Sequence, residues 1–148
     1  EARGKPVIGF VHDENTWIQG GVAGHAGLFS VAEDLGMFGE HMLAIDRGLN
    51  GIVSREILAR AWSLSSRGAD GHHLAGWDTP SGEKTSVGRG FSRTESFGHL
   101  GFTGTSLWVD RSQGIVAVLL TNRVYPTREN DRIRDLRIRF HEAVASPS

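Results

Sequence analysis

The residues of this chain best suited to chemistry crowd into one stretch, His99-Leu100-Gly101-Phe102-Thr103-Gly104-Thr105. Imidazole titrates near neutral pH and can donate, accept or relay a proton. Gly101 and Gly104 let the main chain approach a ligand closely, as a site that uses backbone N–H groups requires. The same residues also read as a glycine-rich turn with a structural histidine, and their types alone leave both readings open. A second polar run, His12-Asp13-Glu14-Asn15, suits a turn or a loop over a site, with Asp13 either facing a ligand or capping.

Composition narrows the chemistry. There is no cysteine, which removes disulfides, thiolate nucleophiles and cysteine metal sites. None of the seven histidines stands four residues from another, the spacing that puts two imidazoles on one helix face, so no metal site is expected. A formal net charge of −1 gives no field toward nucleic acid or anionic membrane. No apolar run approaches the roughly 20 residues that span a bilayer. The start, Glu1-Ala2-Arg3-Gly4-Lys5-Pro6, has neither a signal-peptide core nor an initiator methionine, and targeting is not legible from it. A length of 148 residues suits one domain, 1–148.

The elements that must position these residues follow from periodicity. Pro6 to Val11 reads as extended, and Trp17 to Phe29 as an apolar, glycine-rich loop in which His25 makes a structural hydrogen bond. Ser30 and Glu33 have capping-box spacing ahead of Val31, Leu35, Phe38, Met42 and Ile45, predicting a helix from about Val31 to Arg47 that Gly48 stops. Ser54 caps a second helix to about Leu64, with Ile57, Leu58, Ala61 and Trp62 inward. Ser65 to His73 reads as a polar connection, Leu74 to Trp77 as a short strand, and Thr79 to Glu95 as a surface excursion broken by Pro80 and glycines. From Ser96 a three-strand antiparallel meander is expected, with a hairpin at Asp110–Gly114 and Ile115–Leu120 buried on both faces. A helix from about Arg128 to Val144 closes the chain, with Ile133, Leu136, Phe140 and Val144 inward and an Asp135–Arg139 pair on a solvated face. The fold class is α/β (α+β), an antiparallel sheet flanked by helices.

At Gly21-Val22-Ala23-Gly24-His25-Ala26-Gly27-Leu28-Phe29-Ser30-Val31-Ala32-Glu33-Asp34-Leu35 the chain resembles the segment after the active-site tyrosine motif of serine β-lactamase-like hydrolases. These are class C β-lactamases, low-molecular-mass penicillin-binding proteins and related esterases. Val11-His12-Asp13-Glu14-Asn15 resembles the subgroup with a type-4B penicillin-binding protein, and His99 to Thr105 is similar to its Lys/His-Thr-Gly motif. The resemblance implies the C-terminal part of a β-lactamase/transpeptidase-like fold. It implies acyl-enzyme chemistry on an ester, β-lactam or D-alanyl peptide-like substrate, with no cofactor, in the periplasm or outside the cell.

Residue by residue, the resemblance gives His99 the place of the family lysine. Gly101 becomes the position that lets substrate lie along the strand edge, and the Phe102 N–H an oxyanion donor. His12, Asp13, Thr103 and Gly104 become substrate-binding positions. Two departures stand out. The only Ser-x-x-Lys spacing, at Ser81-Gly82-Glu83-Lys84, falls in a Pro/Gly-rich excursion out of chain order, and the sole tyrosine, Tyr125, is near the C-terminus. Leu100 stands where relatives carry threonine, removing a hydroxyl that could bind a substrate carboxylate. The expectation is a C-terminal half whose nucleophile and base belong to the N-terminal half, inactive alone, with an unpaired sheet edge that takes that half or forms a dimer. The alternative is a non-catalytic substrate-binding or scaffold module of the same fold.

Overall fold

Strand and helix periods in this sequence assemble into one antiparallel sheet with helices on both faces. The computed structural model describes residues 7–68, 71–82 and 85–146. Its six strands lie in chain order: β1 (Ser65–Gly68), β2 (Gly71–Leu74), β3 (Trp77–Asp78), β4 (Ser96–Leu100), β5 (Ser106–Asp110) and β6 (Ile115–Leu119). Four helices accompany them, α1 (Glu14–Ile18), α2 (Ala32–Asp46), α3 (Arg55–Ser63) and α4 (Ile133–Ala145).

The alternation of side chains along β4 to β6 divides the core in two. Phe97 and Val109 face α2 and α3, packing with Met42, Leu43, Ile45 and Leu58. Trp108 and Ala117 face the other way, with Val87 and Phe91, beneath Phe140 and Ala145 of α4. The predicted meander is present, its β5–β6 hairpin turning at Gly114 with φ +68°. β6 differs from expectation. Only Ala117 among its residues is buried, because β6 ends the sheet and its outer edge has no neighbouring strand among the described residues.

α2 is built nearly as predicted but begins without the capping box. Val31 is its N-cap with no side-chain bond, while the Ser30 hydroxyl donates to the Val31 carbonyl at 3.3 Å. Its end is a Schellman closure: Gly48, at φ +96°, donates to Ile45 O at 3.0 Å, and Leu49 donates to Ala44 O at 3.0 Å. Ser54 caps α3 as expected, accepting from the Ile57 N–H at 3.3 Å, although the Ile57 side chain is exposed.

Other expectations are corrected. Ser65 to His73 holds β1 and β2, an antiparallel hairpin whose sequence is too polar to reveal a strand. Of Leu74 to Trp77, Leu74 ends β2 and Trp77 opens β3, paired with each other, and Ala75-Gly76 between them is the turn, with Gly76 at φ +78°. The excursion from Thr79 to Glu95 is no surface loop, since Pro80, Thr85, Val87 and Phe91 are buried, two of them in the core under α4. Glu83 and Lys84 of the Ser-x-x-Lys spacing, and Pro6 of the first segment, lie outside the described residues. α4 begins at Ile133, and its buried stripe is Ile133, Arg137 and His141, while Leu136 and Val144 are exposed. The Asp135–Arg139 pair is not among the ion pairs of the described residues.

Candidate functional site

β4 carries His99 to the edge of the helix-covered sheet face. Side chains alternate along the strand, so His99 shares the α2/α3 face with Phe97 but stands beyond it, exposed, opposite Leu107 of β5. Its Nδ1 lies 2.9 Å from the Leu100 carbonyl, and with the proton on Nδ1 the Nε2 lone pair faces outward. Leu100 turns the other way and packs beside the Trp108 cluster, so at this position the side chain serves the core. β3 is two residues long and pairs with β4 at Asp78 and Gly98, which among the described residues leaves the last residues of β4 without a strand on that side.

After Leu100 the chain makes a tight loop held by its own backbone. The Gly101 N–H donates to Thr105 O at 2.8 Å, and the Gly104 N–H donates to Gly101 O at 3.0 Å. Glycine is required twice. A Cβ at Gly101 would strike the Thr105 hydroxyl, and Gly104 has φ +104° with Thr121 Oγ1 against the place a Cβ would take. The loop is also stapled from outside. The Thr121 hydroxyl donates to Gly104 O at 2.7 Å, Arg123 donates from its backbone to Thr103 O at 2.9 Å, and Arg123 Nε donates to Phe102 O at 2.8 Å. From α4, buried Arg137 uses Nη2 to bond both Gly101 O at 2.7 Å and Thr105 O at 2.8 Å. Among the described residues, the Phe102 N–H has no such partner.

The Phe102 ring is exposed and forms the centre of a small cluster. His12 stacks on it at 5.6 Å, and the guanidinium groups of Arg123 and Arg128 lie 4.3 Å and 5.3 Å from its centroid. Arg128 also pairs with Glu14 at 2.8 Å, tying α1 to this loop and holding the Glu14 carboxyl below its ordinary pKa. Asp13 is directed elsewhere. Its Oδ1 accepts from the Thr16 N–H at 2.8 Å, capping α1, and from His25 Nε2 at 3.1 Å; the Thr16 bond first and His25 second keep its pKa low. His25 thus makes the structural bond expected of it.

The structure brings His12 onto the Phe102 ring, in the loop that also holds Gly101, Thr103 and Gly104 and begins just after His99, whereas Asp13 caps α1. Thr103 and Gly104 present carbonyls that the protein already uses. Ser81 accepts from the His72 N–H at 2.9 Å and donates to Thr79 O at 3.4 Å, the bonds of a local turn. Sequence reasoning missed Arg123, Arg128 and Arg137. Arg137 had a signal, since it stands four residues from both Ile133 and His141 on one stripe of α4.

Chemically, an exposed imidazole three residues before an unpartnered N–H can offer a proton relay and a hydrogen bond to an anionic oxygen. Among the described residues no three His, Asp or Glu side chains gather to hold a metal ion. A cleft of about 460 Å³ opens between the end of β6 and the first turns of α4, lined by Asn122, Arg132, Asp135 and Arg139 together with Thr121 and Arg123 that staple the loop; neither His99 nor Phe102 is on its wall.

Comparison with known proteins gives the same direction. Residues 2–141 match the family described as Beta-lactamase. The chain is similar to proteins named "Putative D-alanyl-D-alanine carboxypeptidase" from Salmonella paratyphi B, Salmonella newport and Salmonella heidelberg. Each is 29% identical over 133 residues, 88% of this chain and 31% of the relative. The chain thus spans less than a third of the length of these relatives. No solved structure matches it at a significant level.

Proposed function

This chain belongs to the β-lactamase family, and on that premise we propose that it supplies one wall of the acyl-transfer site of a serine hydrolase. The observation that carries the reading is the Phe102 N–H. The carbonyls of Gly101 to Thr105 are all bonded within the protein, whereas this donor, like the N–H groups of Thr103 and Thr105, has no partner among the described residues. The carbonyl of its own peptide, Gly101 O, is held by Arg137. Acyl transfer passes through a tetrahedral oxyanion, which preorganised N–H donors stabilise when they sit about 2.7–3.1 Å from it. The Phe102 N–H is one donor, and the second comes from the segment bearing the nucleophilic serine. His99 takes the place of the family lysine, hydrogen-bonding the nucleophile's network or a substrate carboxylate through Nε2. Substrate lies along β4 past the short β3, where Gly101 admits it closely. His12 and Phe102 form the rim.

The substrate class is an ester, β-lactam or D-alanyl peptide-like amide, and a peptidoglycan-like substrate puts the reaction in the periplasm or outside the cell. No helix among the described residues is long and apolar enough to cross a membrane. The nucleophile-bearing N-terminal half is the proposed partner. Ile8, Phe10, Ile18, Val22, Leu28 and Phe29 are between 65% and 84% exposed, a concentration of uncovered large apolar side chains in the first 29 residues. That surface and the open β6 edge take the other half, or in its absence a second copy. Light scattering of the isolated chain would give a dimer; a clean monomer counts against the edge.

The test of function uses the protein that carries this segment together with a Ser-x-x-Lys half. Nitrocefin or p-nitrophenyl ester turnover is expected, with one serine labelled by fluorescent penicillin or fluorophosphonate. If there is neither turnover nor labelling, the hydrolase reading is wrong.

A further inference from the structure

We propose that Arg137 is a positioning residue that orients and polarises the Gly101–Phe102 peptide, strengthening the Phe102 N–H as a hydrogen-bond donor. This rests on the reading of that N–H as an oxyanion donor. The Gly101 carbonyl and the Phe102 N–H belong to one peptide unit, and in a planar trans peptide they point in opposite directions. Whatever fixes the carbonyl therefore fixes the N–H. Arg137 Nη2 bonds that carbonyl at 2.7 Å from the α4 side, and its second bond, 2.8 Å to Thr105 O, anchors the far end of the loop.

Orientation is half of the effect. A guanidinium stays protonated at any working pH, and a cation on the carbonyl oxygen draws electrons through the peptide and makes its N–H more acidic. The site is sheltered, since Arg137 is 8% exposed, so water screens the charge only in part. Arg137 Nε is buried without a partner, so the side chain does not satisfy all its own hydrogen bonds; its Nη2 bonds both go to this loop. A neutral side chain could fill the space under the loop, and the Gly104 N–H also bonds the Gly101 carbonyl, but a cation polarises the peptide more strongly than either.

The test reads hydrogen exchange of the Phe102 amide by NMR, in the protein that carries this chain, for the unsubstituted form, Arg137→Gln and Arg137→Lys. Near neutral pH exchange begins with hydroxide removing the amide proton, so a nearby cation accelerates it. Arg137→Gln is expected to slow Phe102 exchange by about tenfold, the size of a unit charge one peptide away in a partly solvated site. Arg137→Lys should restore most of it. A purely structural staple would do the opposite, since loosening the loop leaves an open amide unchanged or faster, and that result in a folded variant overturns the proposal. If Arg137→Gln does not fold, scalar coupling across the bond from Arg137 Nη2 to the Gly101 carbonyl carbon decides in the unsubstituted protein, and its absence overturns the proposal. Ester turnover separates this from the functional reading: kcat should fall about tenfold in Arg137→Gln with KM unchanged. Slower exchange with unchanged kcat would remove the oxyanion role of Phe102 and leave the polarised peptide standing.

Discussion

His141 should make this fold acid-sensitive from near pH 6.5, well above the range in which carboxylates titrate. The ring is fully buried on the inner stripe of α4, with Nδ1 2.7 Å from Arg137 O and Nε2 3.4 Å from the Ser106 hydroxyl. Phe91 and Phe140 meet it edge-on at 5.7 Å and 5.1 Å. Burial is the first cause that lowers its pKa, outweighing the carbonyls of Arg137 and Ser86 that favour the charged form, and the Arg137 charge lowers it further. The sign follows. At pH above the unfolded-state value of about 6.5, His141 is neutral folded and unfolded, and it contributes no pH dependence. As pH falls below that value the unfolded chain takes up a proton that the folded one refuses, and stability drops until the folded pKa is reached. The loss is at most about 1.4 kcal/mol per pH unit between the unfolded value and the lower folded one. Urea unfolding followed by tryptophan fluorescence from pH 7.5 to 5.5 measures it, with His141→Gln as the control. The substitution should flatten the profile. Parallel profiles for the two proteins would refute the argument, because the drop would then belong to other groups. The same stripe holds Arg137, so ester turnover should decline over the same range.

Other consequences follow from particular contacts. Asp110 is buried at the β5–β6 turn; burial alone would raise its pKa, but bonds from Ser112, the Ser92 N–H and Gln113 bring it down to about 2. Its contribution is present above the unfolded value and lost as pH falls from about 4 to 2, an amount of about 2 kcal/mol that Asp110→Asn should abolish in acid titrations of unfolding. Phe97→Ala removes a fully buried ring between Trp62 and Trp77 and should cost about 3–5 kcal/mol in chemical denaturation. Gly104→Ala forces a side chain into φ +104° against Thr121 and should cost about 1–3 kcal/mol while lowering kcat more than it raises KM. His99→Ala should reduce kcat/KM about a hundredfold in ester turnover without a shift in unfolding midpoint, since the ring is exposed.

What was legible in the sequence divides by the range of the interaction that decides it. α2, α3 and the β4–β6 meander are written in local periods and turn residues, and they stand where those periods put them. β1 and β2 were hidden because Ser65, Ser66, His72 and His73 carry no apolar alternation; they are strands because the backbone pairs with its neighbour, which no local pattern records. The excursion from Thr79 to Glu95 was misread for the reverse reason. Val87 and Phe91 are isolated apolar residues among glycines, and only the gap under α4 makes them core. The site shows the same division. His99, Gly101 and Gly104 betray themselves by type and spacing, because glycine at a tight turn is a local necessity. Arg137 gave only its spacing to Ile133 and His141. The other arginines and interleaved acids of the predicted Arg128–Val144 helix make it look like part of a solvated face until it is found 8% exposed, with two carbonyls of a distant loop on its guanidinium. A buried, always-charged side chain is costly unless its donors are used. Its use here is to hold the Gly101–Phe102 peptide still, so the residue that local pattern rates least informative is the one that fixes the direction of the N–H proposed as the oxyanion donor.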